Sequence, residues 1–162
     1  MNKNFIYHFI FRYSDKSAPP SGTIKLHADV IQKNGSVWLG KFGKKVGKRT
    51  ISLLQGQINK NIPSYTFLVG YSDRNFIVHA GETDSISDEI PDYSLIPSYY
   101  AKDAIKVYTW FKLKSLFKVE TDILRTLTGD SSKLPIILTL QRSMSSIMLV
   151  RLKKSETIDD YK

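Results

Sequence analysis

Cysteine is absent from this 162-residue chain, so no disulfide, thiol nucleophile or Cys-containing zinc site is available and packing alone must hold the fold. Long apolar runs are missing as well. No stretch approaches the ~20 residues that span a bilayer, and no long amphipathic helix with a basic face offers itself to lipid. Histidine is scarce: His8, His27 and His79 lie far apart, and none has a histidine partner at helical ligand spacing, so each is expected as an ordinary packing residue. Acidic residues are the minority charge, 15 Asp and Glu against 24 Lys and Arg, which gives a formal net charge of +9. That balance favours an anionic partner, and nucleic acid over a membrane.

What is present suits a folded domain. A hydrophobic content of 41% argues against disorder, and the length fits one domain over residues 1–152, followed by a polar tail or linker at 153–162. Met1 to His8 runs straight into a strand-like segment with no room for a signal peptide, so the expected location is cytoplasmic. Phe5, Tyr7, Phe9, Phe11 and Tyr13 recur with period two, which predicts a strand with an aromatic face, broken by Ala18-Pro19-Pro20-Ser21-Gly22. A weaker strand is expected over Thr23 to Ile31, with Asn34-Gly35 turning into another at Ser36 to Leu39. Ile51, Leu54 and Ile58 predict one short helix from Arg49 to Asn59.

Tyr65 to Tyr71 and Asn75 to Thr83 read as a hairpin, and Asp84 to Pro97 as an exposed acidic loop. Ile105 to Val119 is the longest strand candidate. Alternation puts Phe111 and Leu113 on one face, and Tyr108, Trp110, Lys112 and Lys114 on a basic, aromatic one. Leu134 to Leu140 fits a strand or a helix, and Ser146 to Leu152 a closing strand. Some seven strands with one to three short helices make an α+β domain, a small curved β-barrel.

Chemistry concentrates in Gly35-Ser36-Val37-Trp38-Leu39-Gly40-Lys41-Phe42-Gly43-Lys44-Lys45-Val46-Gly47-Lys48-Arg49. An indole offers a stacking face, glycine permits close approach, and cations attract phosphates. The same residues also fit a strand end with a core tryptophan and a solvated basic turn. Enzymatic readings find less support. Gly43 to Arg49 lacks the glycine spacing and the Ser or Thr of a P-loop, and no strand ends in the clustered carboxylates and lysine of a metal-dependent nuclease. Neither a metal nor a cofactor is expected.

The order of these segments resembles the YTH and EVE branches of the PUA-like superfold. The resemblance rests on Phe9-Ile10-Phe11-Arg12-Tyr13-Ser14-Asp15, Ser36-Val37-Trp38, Tyr65-Thr66-Phe67-Leu68-Val69 with Phe76-Ile77-Val78-His79-Ala80, and Ile105-Lys106-Val107-Tyr108-Thr109-Trp110. Such domains, including those at the N-terminus of McrB-type modification-dependent restriction proteins, bind nucleic acid and often hold a modified base in an aromatic cage. The resemblance implies that Trp38 is the first cage wall. The second comes from the aromatics nearest the Trp110 strand, Tyr93, Tyr99 and Tyr100, of which Tyr99 and Tyr100 follow directly on Pro97-Ser98. It also implies base-edge contacts by Ser14 and Asp15, although Asp15 equally fits a turn residue. Trp110 matches a family aromatic that is more often structural, whereas alternation puts it on the basic face.

Three readings follow. The first is a non-catalytic DNA-recognition domain of a modification-dependent restriction system, with Lys41, Lys44, Lys45, Lys48 and Arg49 gripping phosphates and an ATPase or motor domain C-terminal to it. The second is an RNA-binding PUA-like domain. The third is a protein-interaction domain with a basic face.

Overall fold

The computed structural model describes residues 4–14, 22–142 and 147–162. Strand β1 (Phe5–Arg12) has the expected aromatic face: Tyr7 and Phe9 are buried, with Phe11 and Tyr13 packed partly buried beside them. Thr23 to Ile31, expected as a strand, instead forms helix α1 (Thr23–Asn34). Ile24, His27, Val30 and Ile31 share one helical face, and Gly35 ends the helix at φ 86° with its N–H on the Ile31 carbonyl. The turn read at Asn34-Gly35 is therefore a helix stop rather than a hairpin.

Strand β2 (Val37–Phe42) leads into helix α2 (Lys48–Asn59), the helix that periodicity predicts. Gln57 on α2 is buried and grips β1 at both ends of one peptide unit pair, accepting from the Tyr7 N–H at 2.8 Å and donating to the Tyr7 carbonyl at 2.9 Å. The expected hairpin is present as β3 (Tyr65–Ser72) and β4 (Asn75–Ser87). Strand β4 runs further than expected, so residues 84–87 are strand and not loop; Asp84 faces the Lys112 ammonium at 3.8 Å across to the next strand.

The segment read as one strand from Ile105 to Val119 is divided into a 3-10 turn (Ala104–Lys106), β5 (Val107–Leu113) and β6 (Phe117–Val119). Helix α3 (Ile123–Thr126), the two-residue β7 (Thr128–Gly129), helix α4 (Ile136–Arg142) and β8 (Ile147–Lys153) complete the order. The helical alternative thus holds for the segment starting near Leu134. Four α-helices are present among the described residues where one to three were expected, because α1 and α4 were both open to reading as strands.

The strands form one sheet in the order β2-β5-β4-β3-β1-β8-β7, with β6 on β4. Only the β1–β3 pair is parallel among these pairings. Strand β4 pairs β3 and β6 through its first half and β5 through its second, so the sheet bends around it without closing. On one side, Phe9 stacks on Phe111 at 4.5 Å, with Leu39, Leu54, Leu68 and Leu113 around them. On the other side, α3 and α4 cover Ile10, Phe67, Val78 and Val150. Residues 158–161 turn back onto this second core: Ile158 is buried and the Tyr161 hydroxyl donates to Thr126 at 2.8 Å. No helix among the described residues is long and apolar enough to cross a membrane.

Candidate nucleic-acid interface

A small third cluster decides the geometry of the site. The 3-10 turns at Tyr93–Leu95, Ser98–Tyr100 and Ala104–Lys106 lay residues 96–107 over the outer face of β2 and β5, burying Ile96, Tyr100, Ala104, Val107 and Trp110. Trp110 is 0% exposed, which corrects its expected position on an open basic face. Alternation does give it the face shared with Tyr108 and Lys112, but a second layer covers that face at Trp110. Gly40 makes the fit possible, since a Cβ there would lie 2.7 Å from the Trp110 ring. The Trp110 Nε1 is buried with no protein partner.

Tyr100 is the buried strut of this layer rather than an open wall, at 2% exposure. Its hydroxyl accepts from the Gly40 N–H at 3.1 Å and meets His27 Nε2 at 3.2 Å. His27 Nδ1 lies 2.7 Å from the Thr23 carbonyl, which can only accept, so Nδ1 carries the proton and Nε2 must accept from Tyr100. The chain of bonds runs from β2 through Tyr100 and His27 to the first turn of α1. Burial lowers the His27 pKa to about 4, which keeps the ring neutral as this pattern requires, and raises the Tyr100 phenol well above its ordinary value. His8 is also buried, with its pKa lowered to about 3, and its Nδ1 accepts from the Tyr65 N–H at 2.9 Å.

Beside this strut opens a cleft of about 150 Å³. Its walls come from the end of β1 (Phe11, Arg12, Tyr13, Ser14), the start of α1 (Thr23), β2 (Leu39, Gly40, Phe42) and the Tyr99-Tyr100 pair. A cavity of this volume admits one planar ring. The aromatics are fixed by contact. Tyr99 stacks on Tyr100 at 4.4 Å, and Phe42 also stacks on Tyr100, at 5.6 Å with an interplanar angle of 20°. Tyr13 lies across Gly70, where a Cβ would come within 2.6 Å of its ring, and its N–H donates to the Val69 carbonyl. Phe42 remains 44% exposed, so one aromatic face is open at the rim.

The structure therefore brings Ser14, Tyr99 and Tyr100 together, with Tyr100 as floor. Trp38 stands elsewhere: it is half-buried on the outer face of β2, paired in register with Lys112, whose ammonium lies 5.7 Å over its ring. It shares the third cluster with Tyr99 but is not among the described residues that line the cleft. Tyr93 is exposed in the first 3-10 turn. Asp15 lies outside the described residues. Phe11, Tyr13, Thr23 and Phe42 are lining residues that sequence reasoning did not assign. The period-two run that ends in Phe11 and Tyr13 carried a signal for those two; Phe42 was hidden among cations.

Of the five candidate phosphate ligands, three are already engaged. Lys41 is buried and its ammonium donates to the Lys44 carbonyl, with burial, then the Lys44 charge, lowering its pKa. Lys45 pairs with Asp88 at 3.0 Å and holds that carboxyl below its usual range. Arg49 pairs with Asp130 at 3.0 Å. Lys44 and Lys48 are exposed, with no ion pair among the described residues.

The bent, unclosed sheet carries an aromatic cleft, and no cluster of His, Asp and Glu fit for a metal is found among the described residues. The Pua-like family pattern matches residues 9–144, so the chain belongs to the Pua-like family, which suggests a nucleic-acid or modified-base binding domain. Comparisons with curated proteins and with solved structures each found no match.

Proposed function

We propose that this domain is a non-catalytic recognition module that draws one unpaired or flipped base of a nucleic acid, DNA in preference to RNA, into the cleft between Phe42, Tyr13 and Tyr99. In this reading it serves a modification-dependent restriction system whose motor or nuclease is a separate domain. The observation that carries the proposal is the cleft itself, sized for one ring and walled by aromatics drawn from β1, β2 and residues 99–100. Stacking on each aromatic contributes about 1–3 kcal/mol, and extruding a base from a duplex costs a few kcal/mol, so two such contacts offset extrusion. A methyl group that fills remaining space would then decide between modified and plain bases. Ser14 at the rim supplies a hydroxyl to the base edge, which can donate or accept. Recognition without chemistry is favoured by the histidines: His8 and His27 are buried, neutral and committed to structural bonds.

A binding panel tests this. Single- and double-stranded DNA and RNA, with and without base methylation, are compared at one fixed salt concentration for wild type, Phe42→Ala and Trp38→Ala. The proposal expects a preference for one methylated DNA that Phe42→Ala abolishes. A preference for RNA that depends on the sugar hydroxyl would replace DNA with RNA as the partner. A preference lost only in Trp38→Ala would move the base to the Trp38 face, and no nucleic-acid binding at low salt would leave a protein-interaction surface.

A further inference from the structure

A groove of about 580 Å³ lies outside the cleft, between the β3–β4 turn, α3 and α4. Three guanidinium groups line it, from Arg12, Arg74 and Arg125, with Asp122 as the one carboxylate among its described lining residues. Arg74 and Arg125 are exposed and make no ion pair among the described residues. Tyr71 projects into the same groove at 63% exposure, held edge-on by Phe76 at 5.1 Å. Arg12 lines this groove and the aromatic cleft alike, and its Nη1 donates to the Leu140 carbonyl at 3.1 Å, so a fixed guanidinium stands where the two meet.

The tip of the hairpin adds an independent observation. Asp73 and Arg74 occupy the two central positions of a tight turn with φ of 51° and 65°, where glycine is the least strained residue. An arginine in the left-handed region at such a position is a backbone cost borne by the fold, and its side chain points the charge into the groove lining.

We propose that this groove carries the sugar-phosphate backbone of the same single strand whose base enters the cleft, with Arg74 and Arg125 on successive phosphates and Tyr71 stacking a neighbouring base. The proposal rests on the reading of the cleft as a base site and adds the path of the strand, which runs across Arg12 rather than along the lysine turn at residues 41–49. Planar guanidinium groups match phosphate oxygens two at a time, which ammonium groups do not.

The test uses fluorescein-labelled oligothymidylates of four and fifteen nucleotides, titrated by anisotropy over a salt series with the full chain. For wild type the longer strand binds more tightly and with a steeper salt dependence. The double variant Arg74→Gln, Arg125→Gln is expected to weaken the fifteen-mer ~10-fold or more and to flatten its salt slope by about 1.4, roughly 0.7 per lost phosphate contact on a single strand, while leaving the four-mer unchanged. Arg74→Gly is expected to keep or raise Tm while weakening the fifteen-mer, which separates the charge from the fold. An unchanged salt slope in the double variant, with wild type binding normally, overturns the groove and leaves the cleft standing. Equal losses for both lengths also overturn it. Failure of wild type to bind either strand overturns both readings.

Discussion

The floor of the cleft and the lysine turn follow one another along the chain, Gly40 ending one and Lys41 beginning the other, yet the fold treats them in opposite ways. At the floor, a glycine, a phenol and an imidazole with no striking sequence signature are locked into one bonded column, and the space beside them is left open. In the turn, the densest run of cations in the sequence is largely spent internally, on the Lys44 carbonyl, Asp88 and Asp130, while Val46 is buried and its N–H donates to Thr109. The lesson is that charge density along the chain measures composition, whereas available chemistry depends on what the fold leaves unpaired. Arg74 and Arg125, isolated in sequence, line one groove and make no ion pair among the described residues, whereas three of the five clustered cations are bonded within the protein.

Breaking the floor should have the largest effect. Trp110→Ala removes a fully buried indole and is expected to cost about 3–5 kcal/mol of stability in a urea titration, as large-to-small core changes do. Lowering pH strains the same region next. His27 and His8 have folded pKa values lowered to about 4 and about 3 from 6.5, so below 6.5 the unfolded chain binds protons that the folded chain refuses. Stability should therefore fall as pH drops from 6.5 toward 4, by up to about 1.4 kcal/mol per pH unit for each imidazole; a urea midpoint that stays flat from pH 7 to 5 would contradict their burial. Tyr100→Phe keeps the ring but strands the Gly40 N–H and His27 Nε2, with an expected cost of about 1–3 kcal/mol. The smallest change belongs to the turn: Lys45→Gln breaks an exposed, solvent-screened pair with Asp88 and should leave the urea midpoint essentially where it is. A lysine substitution that cost as much as Tyr100→Phe would erase the contrast between the two regions.

Sequence periodicity reached most of the sheet because period-two alternation is a direct consequence of the pleat: β1, the β3–β4 hairpin and β8 fall where Phe9, Leu68, Val78 and Val150 alternate with polar or differently packed neighbours. Helix α1 was missed because Ile24, Val30 and Ile31 are β-branched, while their spacing of six and seven residues, with His27 between, is helical. Residues 84–87 looked like loop since Asp84 suggested exposure, but pairing with β5 and the Lys112 charge keep them in the ladder. The face of Trp110 was legible and its burial was not, because burial depends on residues 96–107 folding back over β2 and β5, a tertiary event with no local period. The cleft was hidden for the same reason. Its walls come from positions 11–14, 23, 39, 40, 42 and 99–100, and only the sheet brings them to one edge. Trp38, the most conspicuous aromatic in the sequence, pairs with Lys112 further along the same outer face of β2 instead of lining that space.

The central claim, that a base stacks inside the cleft, is tested most directly by fluorescence quenching of a single-stranded DNA oligonucleotide carrying one 2-aminopurine. Wild type and Trp38→Ala should quench the probe on binding, while Phe42→Ala should bind at low salt with the quenching largely relieved. Quenching retained in Phe42→Ala and lost in Trp38→Ala would contradict the account and return the base to the Trp38 face.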